Sequence, residues 1–539
     1  MPDRSRFFGT SPQRIGRHHK PFNSAASRSF RNNRPPFRPT PPRAELTFAN
    51  ELDTVLPTFP LTRTRGLATE PVHHDKSSPK PVMGFRDLVL FYVVTGVSLR
   101  WVATAAGHGP SSLVLWFLGW LLLYVPLALS VLELSSRYPE EGGFYVWTKK
   151  AFGEGAGFLS AWIYWVSNLP YFPAVLYFAA SNLLFLHPGL QRYSHRPAYF
   201  VTFSVLVLVV LTVLNILGLN LAKWAHNLGA IAMWIPALII IVLGFLAWRH
   251  FGPANSFAPQ AFVPPHRLQD MIFWSVILFA FIGCESASLM AGEIKNPRRN
   301  IPAALLTAGA TVAVCYMLGT FSVLLALPSS ESTNLEGLGQ AIGQTCARLH
   351  ISGLTEFATF MIVLSNLGAA GAYLAAAARL PFVAGIDGYL PHAFGELHPR
   401  FRTPWVSVLA QGLLGIFFVF WGQAGTTVGG AYDILVAISV AITMVPFMML
   451  FAAMIRLQRE PAAAGTIRVP GGRPVAILLG GVGFASSTFA TVISLVPPED
   501  EPHKLAFTLK IVLSVAGLIG LGLLLFILGR RRNSQTIAA

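Results

Sequence analysis

The feature that most constrains this chain is a succession of apolar segments, each long enough to cross a lipid bilayer. Twelve can be placed, near residues 86–108, 112–135, 156–186, 197–217, 225–249, 270–293, 303–327, 353–384, 404–422, 431–455, 474–495 and 505–529. About 20 apolar residues in a helix suffice to span the hydrocarbon core. The third and eighth segments are longer than that requires and should tilt. Composition agrees: 53% of the residues are hydrophobic and 12% charged, and soluble domains carry about twice that charged fraction. The expected fold is an all-α integral membrane protein with 12 transmembrane helices.

A formal net charge of +16 raises the question of nucleic acid. The basic residues form no single face, however, as a nucleic-acid surface would require. They sit in the N-terminal tail and in alternate loops. Arg137, Lys149, Lys150, Lys295, Arg299, Arg456 and Arg530 to Arg532 fall on one side, and far fewer, among them Arg192 and Arg348, on the other. This positive-inside pattern puts both termini in the cytoplasm of a multi-pass protein of the cell (cytoplasmic or inner) membrane. It makes anionic membrane lipids, not nucleic acid, the acidic partners. The three cysteines, Cys284, Cys315 and Cys346, have neither disulfide nor metal-ligand spacing, and no cofactor or metal is expected. Residues 1–85 are rich in Arg, Pro and Ser and too poor in aliphatic side chains to bury a core. They read as a disordered basic cytoplasmic tail ahead of a transmembrane domain, 86–530, and a short cytoplasmic C-terminus, 531–539.

Two segments are interrupted. The sixth, within MIFWSVILFAFIGCESASLMAGEIKNPRRNIP, carries Gly283, Cys284, Glu285 and Ser286 where a plain membrane helix would carry aliphatic residues. A carboxylic acid at membrane depth is costly and marks a functional site. Burial also equips it to take up and release a proton as the site opens to either side. The first segment, FYVVTGVSLRWVATAAGHGPSSLVLW, contains Gly96, Ser98, Arg100, Gly107 and Gly109, and its helix should open near Ser98–Ala106. The two stand five segments apart, as first members of two halves of five. Matching interruptions of this kind point to a five-plus-five inverted repeat with discontinuous helices 1 and 6, two further C-terminal helices, and a site at the midplane.

Arg100 either pairs with an acid, Glu285 or Glu133, or binds a substrate carboxylate bidentately. At each break, free N–H groups favour an anion and free C=O groups a cation, which together suit a zwitterion. Asn168 is a polar group on an aromatic-rich third segment, ahead of Pro170 and Pro173. Phe279 and Tyr373 are placed to stack on a ligand. No nucleophile–base pair, phosphate loop or metal cluster is present, so the chain does not read as an enzyme.

These motifs resemble the amino acid–polyamine–organocation (APC) superfamily. FAFIGCESASLMAGEIKNPRRNIPAAL is similar to its sixth segment and following loop, AARLPFVAGIDGYLPHAFGELHPRFRTP to the end of its eighth, and ELSSRYPEEGGFYVWTKKAFGEGAGFLSAW to the loop from its second into its third. The nearest branches are the arginine/agmatine exchangers and the glutamate/GABA antiporters. The resemblance implies a secondary active transporter, a permease or antiporter, of amino acids or related amines, working by alternating access. It implies substrate contacts from the first break (Ser98, Arg100, Ala103), from Gly283 and Cys284, and from Asn168, Phe279 and Tyr373, with proton coupling at Glu285. The sequence departs from the family at SLRWVATAAG, which replaces a glycine-rich opening, and at Met233, where some proton-coupled members carry a lysine. Assembly as a homodimer stays open, as do two alternative functions, a non-transporting amino-acid sensor of the same fold and a channel.

Overall fold

A computed structural model describes residues 82–140, 142–264, 268–283, 285–286, 288, 294–331, 335–386, 388–461, 465–498, 501 and 503–538. Helices dominate them. In chain order they are α1 (Phe85–Gly96), α2 (Arg100–Gly107), α3 (Ser111–Gly119), α4 (Val125–Arg137), α5 (Phe144–Phe152), α6 (Glu154–Leu183), α7 (Pro197–Leu217), α8 (Leu219–Phe251) and α9 (Leu268–Ala280). There follow α10 (Pro297–Ala326), α11 (Gly337–Arg348), α12 (Leu354–Ala377), α13 (Arg379–Ile386), α14 (Trp405–Gln423), α15 (Val428–Leu457), α16 (Gly472–Ile493) and α17 (Lys504–Ala538).

Among the described residues, 10 helical runs are long and apolar enough to cross a membrane, and Met271–Ala280 is a shorter apolar helix. The first segment read from the sequence is divided between α1 and α2, and the sixth is helical over α9. The third segment is long and uninterrupted: α6 continues through Pro170 and Pro173. The α3 and α4 helices are joined by a π-helical turn, Trp120–Tyr124.

The buried elements are α6, α12 and α15, which pack on one another or on common neighbours, while α10 packs across α1, α2, α4 and α8. The outermost is α17, which shows Leu505, Leu513 and Leu524 on its surface, as a lipid-facing helix should. Small residues let the inner helices approach closely. A Cβ on Gly229 would lie 2.7 Å from the Gly368 backbone, where α8 crosses α12, and one on Gly244 would collide with the Ser322 carbonyl of α10. Contacts of this kind drive helix association where no hydrophobic effect separates helix from solvent.

Both interruptions are present. The first is narrower than the sequence suggested: the backbone opens only between Gly96 and Arg100, and Ala103 sits inside the regular helix α2. The run Trp101–Ala106 is buried on every side, and that packing holds it helical. In the sixth segment α9 stops at Ala280, and the chain turns through Phe281 and Ile282 to Gly283, whose φ is +119°. That left-handed backbone favours glycine. Cys284 and residues 289–293 lie outside the described residues.

Candidate functional site

The two breaks meet at a buried tyrosine. Tyr316 on α10 is fully buried and stacks on Trp116, with ring centroids 4.3 Å apart. Its hydroxyl lies 3.1 Å from the Gly96 carbonyl and 3.0 Å from the Ala280 carbonyl, and accepts the Ser98 N–H at 3.0 Å. An unpaired backbone group at this depth costs several kcal/mol. Tyr316 therefore supplies partners to the end of α1, the end of α9 and the loop before α2 together. It carries one proton for two carbonyls, so one acceptor is always unspent.

Around this junction lies a narrow cavity of about 30 Å³. Its wall includes Gly96, Ser98, Arg100 and Trp101 from the first break, Phe279, Ala280 and Ile282 from the second, and Tyr316. The α6 helix contributes Tyr164, Ser167, Asn168 and Tyr171, α12 contributes Tyr373, and α15 contributes Thr443. Of the residues singled out from sequence, the structure brings Ser98, Arg100, Asn168, Phe279 and Tyr373 together here. Ala103 is buried in α2 but is not on this wall, and Gly283 is one step removed. Cys284 lies outside the described residues.

Arg100 is the one charged side chain on the wall among the described residues, and it is 1% exposed. Its guanidinium carbon stands 4.0 Å over the Trp101 ring and 5.2 Å from the Tyr171 ring. Its Nε and Nη1 have no hydrogen-bond partner. Among the described residues, neither acid named from sequence is hydrogen-bonded to Arg100. Glu133 instead accepts from the Gln458 amide at 2.7 Å and the Val469 N–H at 2.9 Å. Glu285, itself fully buried, accepts the Tyr164 hydroxyl at 2.7 Å and the Gly283 N–H at 2.9 Å.

Aromatic rings close the cavity. Trp101 meets Phe279 edge to face at 5.9 Å, and Tyr171 lies 4.9 Å from Tyr373. The Asn168 amide gives one N–H to the Tyr164 carbonyl at 2.7 Å. Glu285 is not on the wall. It connects to the cavity through the Tyr164 hydroxyl, which makes that phenol the partition between the acid and the site.

Sequence reading missed Trp101, Tyr164, Tyr171, Tyr316 and Thr443. A signal existed for two of them. Tyr164, Asn168 and Tyr171 recur at i, i+4 and i+7 on α6, so the face that presents Asn168 also presents both tyrosines. Tyr316 carries no local mark. Among the described residues no cluster of three or more His, Cys, Asp or Glu could hold a metal ion.

Comparison with known proteins places this geometry. Residues 87–520 match the amino acid permease family. The chain is 28% identical over 462 residues to an uncharacterized transporter of Legionella pneumophila, covering 85% of this chain and 98% of the relative. It is 25% identical over 474 residues to the glutamate/gamma-aminobutyrate antiporter of Lactococcus lactis, covering 85% and 92%. A probable agmatine/putrescine antiporter of the same species is 25% identical over 317 residues, covering 59% and 67%. These relatives are transporters and not enzymes, and the chain, matched over most of its length, belongs to the amino acid permease family of the APC superfamily.

Proposed function

We propose that this protein is a secondary transporter that moves amino acids or related amines across the cell membrane by alternating access, with its substrate held between the breaks of the first and sixth spans. The substrates it favours carry a carboxylate, as neutral or anionic amino acids do, over amines that carry none. The observation that carries this reading is Arg100. A guanidinium buried at membrane depth is costly, and here two of its nitrogens have no partner. A bound carboxylate would accept a charge-assisted hydrogen bond from one of them and offset part of that cost.

The rest of the wall fits the other half of an amino acid. The carbonyl that Tyr316 leaves unspent, at Gly96 or Ala280, accepts an ammonium. Phe279 and Trp101 cover the side nearer the α2 end, and Tyr164 with Glu285 seals the other. A protonation change at Glu285 would alter its bond to Tyr164 and so couple protons to opening. In this reading the twelve spans form two inverted repeats of five with two additional helices, and both termini are cytoplasmic.

The test is uptake and counterflow in proteoliposomes with labelled L-glutamate, γ-aminobutyrate, L-serine and agmatine at several pH values. Carboxylate-bearing substrates should exchange and agmatine should not. Transport of agmatine alone would remove Arg100 from the proposed role, and binding without flux of any of them would leave a sensor.

A further inference from the structure

A second cavity, of about 250 Å³, shares no lining residue with the central one. Leu115 and Leu118 of α3, Leu122 of the π-helical turn, Ile277 and Leu278 of α9 and Phe489 of α16 make its wall apolar. The cavity reaches from the surface into the core: Ala485 on its wall is exposed, while Leu115, Ile277 and Leu278 are buried. Phe117 and Leu121, next to Leu118 and Leu122 in the chain, are exposed, and so is Phe484, next to Ala485. These residues belong to helical runs long and apolar enough to cross the membrane, Ser111–Arg137 and Gly472–Ile493. The surface on which the cavity opens therefore faces lipid tails.

Two polar side chains belong to the wall, and only one is committed. The Ser486 hydroxyl donates to the Leu122 carbonyl at 2.9 Å. The Trp274 indole N–H is buried and has no hydrogen-bond partner. A buried indole N–H ordinarily finds one, and its lack is costly at membrane depth. The cavity thus suits an apolar chain that carries a single acceptor. An amino acid would leave both of its charges unpaired there, and water would lack the several polar partners it needs.

Depth fixes where that acceptor belongs. Leu115 lies near the start of α3, Trp274 near the start of α9 and Phe489 near the end of α16. All three mark the same end of the cavity. Trp274 stands at the interfacial level that tryptophans of membrane helices favour, and Leu122 lies deeper. A glycerophospholipid has the matching order, with an ester carbonyl near the headgroup and an apolar tail below it.

We infer that this cavity binds one acyl chain of a bilayer phospholipid, with the ester carbonyl accepting from Trp274 and the tail running inward between Leu122 and Ile277. The bound chain braces α9, the first half of the broken sixth span, against α16. The site requires only that these helices cross the membrane and does not depend on which substrate the central cavity takes.

The experiment maps the chain directly. The full-length protein in phosphatidylcholine nanodiscs is irradiated with a phosphatidylcholine that carries a diazirine in one acyl chain, and the adducts are located by peptide mass spectrometry. Adducts should form on the buried side chains Leu115, Ile277 or Leu278. Adducts confined to exposed side chains overturn the proposal. Ala485→Trp, which fills the cavity from its open side, should lose the buried adducts. Leu413→Trp, on the exposed face of α14, should keep them. Loss in both variants, or in neither, overturns the proposal, and the wild-type map decides by itself if Ala485→Trp does not fold. Unlabelled ester-linked phosphatidylcholine should displace the label better than its ether-linked analogue, which has no carbonyl, and Trp274→Phe should abolish that difference. Equal displacement by the two lipids in the wild type overturns the place given to Trp274.

Discussion

Arg100 is held by stacking on Trp101 and, among the described residues, by no carboxylate, so its charge and its shape can be tested separately. Lysine keeps the charge but loses the planar fork and the ring contact. Arg100→Lys should raise KM by about tenfold and Arg100→Gln by about ten- to a hundredfold, as expected for losing charge-assisted hydrogen bonds to a carboxylate; saturable uptake measures both. Tyr316→Phe should act through position, because it removes the partner of the Ser98 N–H and of two carbonyls at once. About 1–3 kcal/mol is at stake for each group left buried and unpaired. Its Tm should fall, and KM should rise with Vmax lowered, whereas a purely structural loss would lower Vmax alone. Glu285→Gln keeps an acceptor for Tyr164 but has no proton to exchange, and the pH dependence of uptake should flatten. A wild-type profile in that variant would take the coupling role away from Glu285. Tyr138, beyond the end of the second span, provides a control. Burial, and then its hydrogen bond to Glu460, push its phenol up from 10.0 to about 12. The folded value lies above the unfolded one, so the stability Tyr138 lends is complete below pH 10 and fades only as pH rises through about 12. Tyr138→Phe should therefore leave the transport profile at neutral and acid pH unchanged.

At the scale of elements, the close helix crossings are the vulnerable points. A methyl group at Gly244 would meet the Ser322 backbone, and one at Gly229 would meet Gly368. Neither obstacle is the flexible end of a side chain, so α8 must move. Gly244→Ala and Gly229→Ala should each cost about 1–3 kcal/mol, read as a lowered Tm in detergent, while Gly481→Ala, with open space around it, should change little. The elements themselves were legible in the sequence, because hydropathy over twenty residues is a strong local signal. Both breaks were legible too, from glycine and polar residues at membrane depth. The extent of the first was not. Ser98–Ala106 looked open because Arg100 and Thr104 are polar, yet α2 is helical from Arg100 onward. What holds Arg100 is Trp101 beside it and Tyr171 on α6, and what satisfies the opened backbone is Tyr316 on α10. Those partners lie far along the chain, beyond any local pattern. The same is true of Glu133, whose hydrogen bonds run to Gln458 and Val469.

Across the whole molecule, the end of α4 is bound to the end of α15 and the segment that follows it. Arg137 donates to the Leu457 carbonyl at 2.8 Å and the Glu460 carbonyl at 2.7 Å, and Ser136 accepts the Ile467 N–H at 3.0 Å. This clasp lies away from both cavities. Glu133→Ala should lower Tm by leaving the Val469 N–H buried and unpaired, and should leave KM unchanged from either face. The sharing of one Tyr316 proton between two carbonyls bears on kinetics as well as geometry. An arriving ammonium brings three donors to a junction that is one donor short. Cargo therefore ties the two broken helices together more firmly than the empty carrier can by itself, and a loaded carrier should turn over its conformations as one body. Exchange of substrate for substrate should then outrun net uptake, and the gap should widen when Tyr316→Phe removes the hydroxyl that donates to the Gly96 and Ala280 carbonyls in the empty carrier.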